Sequence, residues 1–406
     1  MIAGTVLVAL WGAYNLAAPA KSTLVTDISP SRPKITPTAS PTLTPTPKAA
    51  PAKPPAIAAA PTSASKVVRS RFGIAAGDTL PGLSPSELAR RMDDFKSLGL
   101  GWIRLDLDWN GIQGAGGNSY DWSRFDAVVS AANARGLSLI PILNATPPWA
   151  RPANCSSSTC APANPGQFGT FAHAAALRYA SKGIHYWEIW NEENTAARWS
   201  PGPSPDAYVQ LLKAAYPQIK TADPTSTVIT GGLASTDTAG GNIPQLDFLA
   251  GVYSSGGRSY FDGVGYHPYS FPVVASNPID WNAWSKMALT NPSLRSIMTA
   301  NGDINKYIWA TEYGAPSGGP GAVATLTNPN IDSPTDHVDE ALQAAMAVDV
   351  VNTANREPWL AAVFWYSYKD LGTSSSSTEN FYGLLRADGS KKPAYAAFRQ
   401  AVLSSP

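Results

Sequence analysis

Trp187-Glu188-Ile189-Trp190-Asn191-Glu192 closes one apolar stretch of the chain, and Tyr307-Ile308-Trp309-Ala310-Thr311-Glu312 closes another. Each run is short, rich in β-branched and aromatic residues, and ends on a carboxylate. Such runs read as strands buried on both faces. Outward from them, strand-like and helix-like stretches alternate from Arg69 to the end. Arg71–Ala75 is a first strand. Ser84, Pro85 and Glu87 then open a helix as N-cap, first-turn proline and capping-box partner. Trp102–Trp109 and Ser138–Asn144 are the second and third strands. Between them lies a helix capped by Asp121 or Ser123. His185–Asn191 is the fourth strand, Thr227–Gly231 the fifth, Gly263–His267 the sixth, Lys306–Glu312 the seventh and Ala361–Tyr368 the eighth. Helices are expected near Gln167–Ser181, at Pro205–Lys220, Pro244–Tyr253, Trp281–Thr299, Pro334–Thr353 and Lys392–Leu403. Eight such units predict an α/β fold, the parallel (β/α)8 TIM barrel. A doubly wound sheet is the alternative, but no Gly-x-Gly-x-x-Gly follows the first strand and no P-loop occurs.

The 406 residues carry a net charge of +1, and only 15% of them are charged. No basic face is implied, so nucleic acid is excluded as the expected partner. The two cysteines, Cys155 and Cys160, sit in a Ser/Asn/Pro-rich loop. They read as a small loop disulfide, which needs an oxidising compartment, with free thiols as the alternative. No Cys/His cluster has metal-ligand spacing, so neither metal nor cofactor is expected. Residues 1–20 are apolar through Ala18 and end in Ala18-Pro19-Ala20, a signal peptide or a membrane anchor. The first lysine is Lys21, so the basic start of an ordinary signal is missing. Residues 21–68 are rich in Pro, Thr, Ser and Ala, too poor in large apolar side chains to fold, and read as an extended linker. The folded domain is therefore expected over 69–406, in a secreted or envelope-tethered, monomeric protein.

In a (β/α)8 barrel the chemistry gathers at the C-terminal ends of the strands. Those ends supply Arg104, Asp106 and Asp108 on strand two, Asn144 and Trp149 after strand three, and Asn191 and Glu192 on strand four. Strand six gives Tyr266, His267 and Tyr269, strand seven Glu312 and Tyr313, and strand eight Trp365, Tyr368 and Lys369. This constellation resembles the clan A glycoside hydrolases, and within them glycoside hydrolase family 39 and its relatives, over roughly Phe72–Phe398. The carrying motif is Trp190-Asn191-Glu192, with Glu312 closing strand seven. The resemblance implies Glu192 as acid/base and Glu312 as nucleophile of a retaining glycosidase acting on a polysaccharide or oligosaccharide. It also implies sugar-binding roles for Arg104, Asn191, Trp149, Tyr266, His267, Tyr269, Tyr313 and Trp365. One departure is visible: many relatives continue the motif with proline, whereas Glu193 and Asn194 follow here.

Alternate residues of a strand face opposite sides. Glu188 and Glu192 would thus share a face, with Glu188 deep in the barrel and in need of a partner such as Arg104 or His185. Two other classes compete: a glycan-binding module on an inactive barrel, and a structural envelope protein. The first predicts that a catalytic glutamate is replaced, and neither is. The second predicts no aromatic-lined cleft.

Overall fold

Strand β1 (Phe72–Ala75) pairs with β2 (Trp102–Asp108) on one side and with β8 (Leu360–Trp365) on the other, so the sheet closes on itself. The computed structural model describes residues 70–329 and 335–406. The expected signal or anchor at 1–20 and the linker at 21–68 lie outside the described residues. Between β2 and β8 the wall runs through β3 (Ser138–Asn144), β4 (Tyr186–Ile189), β5 (Thr227–Thr230), β6 (Gly263–His267) and β7 (Tyr307–Tyr313). Neighbouring strands are parallel throughout. β5 touches β6 at one register pair, Ile229 with Gly263, and the short strand Leu233–Ala234 continues that seam alongside Tyr266 and His267. The helices are α1 (Pro85–Ser97), α2 (Ser123–Asn133), α3 (Pro165–Tyr179), α4 (Pro205–Ala222), α5 (Gln245–Ser254), α6 (Leu294–Ala300), α7 (Glu340–Ala354) and α8 (Pro393–Leu403). The expected (β/α)8 barrel is the observed fold.

Local sequence explains the elements. At α1 the Ser84 side chain accepts from the Glu87 amide and Glu87 accepts from the Ser84 amide, each at 3.3 Å, completing the capping box. Two expectations are corrected. Trp281–Thr299 is not one helix: a turn at Ser285–Met287 and α6 flank Asn291-Pro292, and Ser293 caps α6. A proline has no amide hydrogen to continue a helix and disfavours helical backbone in the residue before it. Strand four stops at Ile189 rather than Asn191, because Trp190 and Glu192 adopt left-handed backbone, with φ 74° and 53°. The start proposed at Pro334 falls outside the described residues, and α7 begins at Glu340 behind the Asp339 cap.

Two apolar layers hold the barrel. The larger lies between strands and helices. The smaller fills the barrel floor with Ala75, Trp102, Ile140, Ile229, Trp309, Ala362 and Phe364. There Trp102 meets Tyr186 and Trp309 edge-on, at ring separations of 4.8 and 5.9 Å. Trp102, Arg104 and Asp106 share the inward face of β2, and Tyr186 and Glu188 that of β4. The aromatic floor therefore carries a charged layer directly above it. The loop after β3 is closed by a disulfide between Cys155 and Cys160, whose Cα atoms are 6.2 Å apart.

Candidate active site

Arg104 is the hub of the charged layer. Its guanidinium, 1% exposed, grips Glu188 through Nε at 2.6 Å and a terminal nitrogen at 2.9 Å. The remaining donors reach Glu312 Oε1 at 2.6 Å and Asn191 Oδ1 at 2.6 Å. Burial works against the positive charge, but Glu188 and Glu312 outweigh it and keep the guanidinium protonated. Glu188 also accepts from the Gly232 amide at 2.9 Å, so it is a buried structural carboxylate below the mouth. Arg104, one of its two expected partners, thus serves both layers. The other, His185, pairs instead with Asp223.

Glu312 ends β7 with both oxygens held. Oε1 takes the Arg104 bond and Oε2 accepts from the Tyr269 hydroxyl at 2.6 Å. Burial raises its pKa, but His267, Arg104 and the Tyr269 bond overcome that and hold it below the usual carboxylate value. Glu192 stands opposite, on the loop after β4. The left-handed turns on either side of Asn191 break strand alternation, so Glu192 reaches the mouth by backbone curvature rather than by parity with Glu188. Its amide donates to Gly232 O at 3.1 Å, and Trp190 Nε1 donates to Arg198 O at 2.8 Å, which ties the loop down.

His267 lies between the two carboxylates. Nδ1 is 3.1 Å from Glu192 Oε1 and 3.6 Å from Glu312 Oε2, while Nε2 is 3.4 Å from an Arg104 nitrogen. The Arg104 nitrogen beside Nε2 already gives its two hydrogens to Glu188 and Asn191, so the ring's closest polar contact is Nδ1 with Glu192. A side chain at Gly232 would place its Cβ 2.1 Å from His267 Nε2, so this close approach requires glycine. Atoms of Glu192, His267 and Glu312 all fall within 4.8 Å of one another, close enough to share a cation. Both Glu312 oxygens already accept from Arg104 and Tyr269, which suits the trio to proton chemistry instead.

The structure thus gathers Arg104, Asn191, Glu192, His267, Tyr269 and Glu312. Trp149 keeps a face to solvent at 37% exposure, edge-on to Trp109, with its Nε1 donating to Gln113 O at 2.8 Å. Three other expectations are corrected. Tyr266 and Tyr313 are fully buried in the wall; the Tyr266 hydroxyl goes to Ala283 O and that of Tyr313 accepts from Ser270. Trp365 is also buried, with Nε1 on Tyr382 O, and its ring packs against Tyr313 and Phe398. Their side chains fill space between elements, which a strand-end position alone cannot reveal.

Sequence reasoning missed the loop residues. Arg198 brings Nε within 3.6 Å of Glu192 Oε2. Tyr366 and Tyr382 pack around Tyr269 at ring separations of 6.4 and 5.7 Å. Glu379 comes from the turn Thr378–Phe381 and stands within electrostatic reach of Glu192, Glu312 and Arg198. Burial, reinforced by the Glu192 and Glu312 carboxylates, pushes its pKa up to about 7. Asp106 rises to about 7 as well, through burial first and despite the opposing pull of Arg104. Behind Glu192, Glu193 is fully buried, and among the described residues neither of its oxygens has a hydrogen-bond partner. No sequence signal marks Arg198, Glu379 or Tyr382, since loops carry no periodicity.

The profile of the cellulase family (glycosyl hydrolase family 5) matches residues 83–365. No curated protein matches the chain. Solved structures share its fold. A family 39 glycoside hydrolase from the gut symbiont Bacteroides cellulosilyticus has a TM-score of 0.60 at 23% identity, covering 82% of this chain and 64% of that one. A monomeric β-xylosidase from Caulobacter crescentus scores 0.58 at 20% identity, covering 82% and 68%. A family 5 subfamily 18 protein from Streptomyces cattleya scores 0.60 at 16% identity, covering 82% and 80%. The chain therefore spans about two thirds of the length of the family 39 structure.

Proposed function

The chain belongs to the cellulase family, glycosyl hydrolase family 5, within clan A of the glycoside hydrolases, and on that premise we propose that it is a retaining glycosidase of a polysaccharide or oligosaccharide. Glu312 is the nucleophile and Glu192 the acid/base. The observation that carries this reading is the pair itself: Glu312 is fixed at both oxygens, with an oxygen of Glu192 no more than 4.8 Å away. Retaining enzymes hold their carboxyls roughly 5–5.5 Å apart, too close for an intervening water.

In the first step Glu312 bonds to the anomeric carbon, the carbon–oxygen bond to the leaving group breaks, and Glu192 gives that oxygen its proton. In the second, water attacks the same carbon, Glu192 takes the water proton, and the bond to Glu312 breaks. Tyr269 and Arg104 hold the nucleophile ionised and aimed. His267 orients Glu192 through its Nδ1, 3.1 Å from Oε1. Asn191, fixed by Arg104, turns its amide toward sugar hydroxyls, and Trp149 offers an apolar platform for a ring. No cofactor enters this chemistry. The same reading sets the enzyme outside the cytoplasm, released or tethered through residues 1–68, and the Cys155–Cys160 bridge supports that.

The test is glycan turnover by wild type, Glu192→Gln and Glu312→Gln, with NMR of the first-formed anomer. Full activity in both variants refutes the assignment, and predominant inversion removes Glu312 as nucleophile.

A further inference from the structure

Two loops frame the reaction centre, and each is tied down by residues beyond it. In the loop after β8, Lys392, 2% exposed, sends its ammonium to Asp370 Oδ1 at 2.7 Å, Ser317 Oγ at 2.8 Å and Phe381 O at 2.9 Å. In the loop after β4, Asn194 donates to Ala234 O and Ile243 O, each at 2.9 Å, and accepts from the Ala234 amide at 2.8 Å. Trp190 and Trp199, each 2% exposed, pack together at a ring separation of 5.2 Å, and Trp199 meets Tyr208 of α4. The backbone between the two tryptophans winds tightly. Thr195 donates to Glu192 O through its amide at 2.9 Å and its hydroxyl at 3.0 Å, and the Arg198 amide donates to Thr195 O at 3.2 Å. This winding brings Arg198 back over Glu192, with Nε 3.6 Å from Oε2 and the arginine side chain 33% exposed.

Glu192 needs no cation for its placement. Its amide and carbonyl are both bonded, and His267 Nδ1 lies 3.1 Å from Oε1. At 3.6 Å the contact with Arg198 is longer than a hydrogen bond and acts through charge. Burial works against that charge, but Glu192, Glu312 and Asp106 outweigh it and keep the guanidinium protonated. Glu312 has its own cation in Arg104. The groups facing Glu192 are His267 at one oxygen, Arg198 at the other, Glu312 opposite, Glu193 behind and Glu379 within electrostatic reach. Arginine stays charged at every working pH. A static ion pair near the surface contributes little to stability. Here one partner gains and loses its charge in every catalytic cycle, so the contact weighs on the reaction.

Resting on the glycosidase reading, we propose that Arg198 is a positioning residue of the acid/base: it stabilises the negative charge that Glu192 acquires as it protonates the departing oxygen. When the bond to the anomeric carbon breaks, its electron pair stays on that oxygen and the Glu192 proton follows. The carboxylate left behind stands beside the guanidinium. The effect is greatest where the departing oxygen most needs the proton, as in an unactivated sugar alcohol. In the second step the same cation makes Glu192 a weaker base toward water. Arg198 therefore speeds the first step and does not speed the second.

The experiment compares dinitrophenyl β-glycosides, whose leaving group departs without a proton, with phenyl β-glycosides of the same sugar and with polysaccharides, whose leaving groups need one. Glucosides, xylosides, mannosides and cellobiosides are the aryl probes, and reducing-end release reports polysaccharide cleavage. Wild type, Arg198→Met and Arg198→Lys are assayed, with circular dichroism as a folding control. Arg198→Met should lower kcat/KM on phenyl glycosides and on the cleaved polysaccharide by roughly tenfold or more. Its kcat on dinitrophenyl glycosides, where the second step limits, should stay within about twofold of wild type or rise. Arg198→Lys keeps a cation and should recover most of the loss. A misplaced Glu192 would instead slow both steps. Equal losses on the two aryl leaving groups, no loss on phenyl glycosides and polysaccharide alike, or a lysine variant no better than the methionine one overturns this inference and leaves the glycosidase reading intact. No turnover of any glycoside or polysaccharide by the wild type overturns the glycosidase reading, and this inference with it.

Discussion

Replacing Glu193 by glutamine should make the enzyme more stable, and only above mildly acidic pH. The wild-type carboxyl is fully buried, neither oxygen has a hydrogen-bond partner among the described residues, and Glu188 and Glu192 both raise its pKa by like charge. Burial first, and these neighbours next, push its pKa from 4.5 up to about 8, while the Tyr208 hydroxyl on α4 donates to Ile189 O instead. The folded state thus keeps a proton that the unfolded chain releases. Stability is complete below about pH 4.5, falls by roughly 1.4 kcal/mol per unit as pH rises, and reaches its floor once pH passes the folded value. Across that window the loss is on the order of 3–5 kcal/mol, an upper figure because relaxation and water entry soften it. Glutamine has the shape of the protonated acid and no charge to lose. Wild type and Glu193→Gln should therefore unfold with similar free energies at pH 5 and diverge toward pH 8. Denaturant unfolding at pH 5, 6, 7 and 8 measures the difference curve, in which the similar contributions of Asp106 and Glu379 cancel. Parallel curves for the two proteins would refute a neutral buried Glu193.

Further outcomes follow from the same geometry. Glu192→Gln and Glu312→Gln should each lower kcat/KM by at least roughly a hundredfold while leaving the fold intact by circular dichroism. Tyr269→Phe removes a bond to ionised Glu312, so the acidic limb of the kcat/KM–pH profile should move to higher pH; a limb that stays put or moves down contradicts the role given to that hydroxyl. Arg104→Met leaves Glu188 as an unpaired buried charge and should destabilise by about 3–5 kcal/mol in chemical denaturation. Gly231→Ala would set a Cβ 1.9 Å from Glu193 Oε2 and 2.9 Å from Ile189 O. It should lower the melting temperature, and Glu193→Ala in the same chain should recover part of the loss.

The barrel was legible because its strands are short apolar runs separated by helical patterns with clear caps. Gly263–His267 was read to its observed limits, since glycine and Pro268 bound it. Strand four was read too long because Trp190-Asn191-Glu192 has strand composition, and no rule of alternation foresees left-handed backbone at a tryptophan and a glutamate. Arg104, His267 and Glu312, on their expected strands, and Glu192, three residues past the end of its own, were legible as candidates. Arg198, Glu379, Tyr366 and Tyr382 were not, because long-range contacts fix where a loop residue points. Tyr266, Tyr313 and Trp365 show the converse: the right position along a strand, but a side chain used for packing.

Lys392 stands at the threshold of α8, far along the chain from the residues it secures. The barrel's last strand, the loop carrying Glu379 and the opening of the final helix therefore form one heritable module. A recombinant that takes its eighth strand and loop from this protein and its terminal helix from a relative would inherit the loop without its anchor. Crossovers placed between Asp370 and Lys392 should yield barrels that melt earlier than those with crossovers before β8, which keep the anchor with its loop.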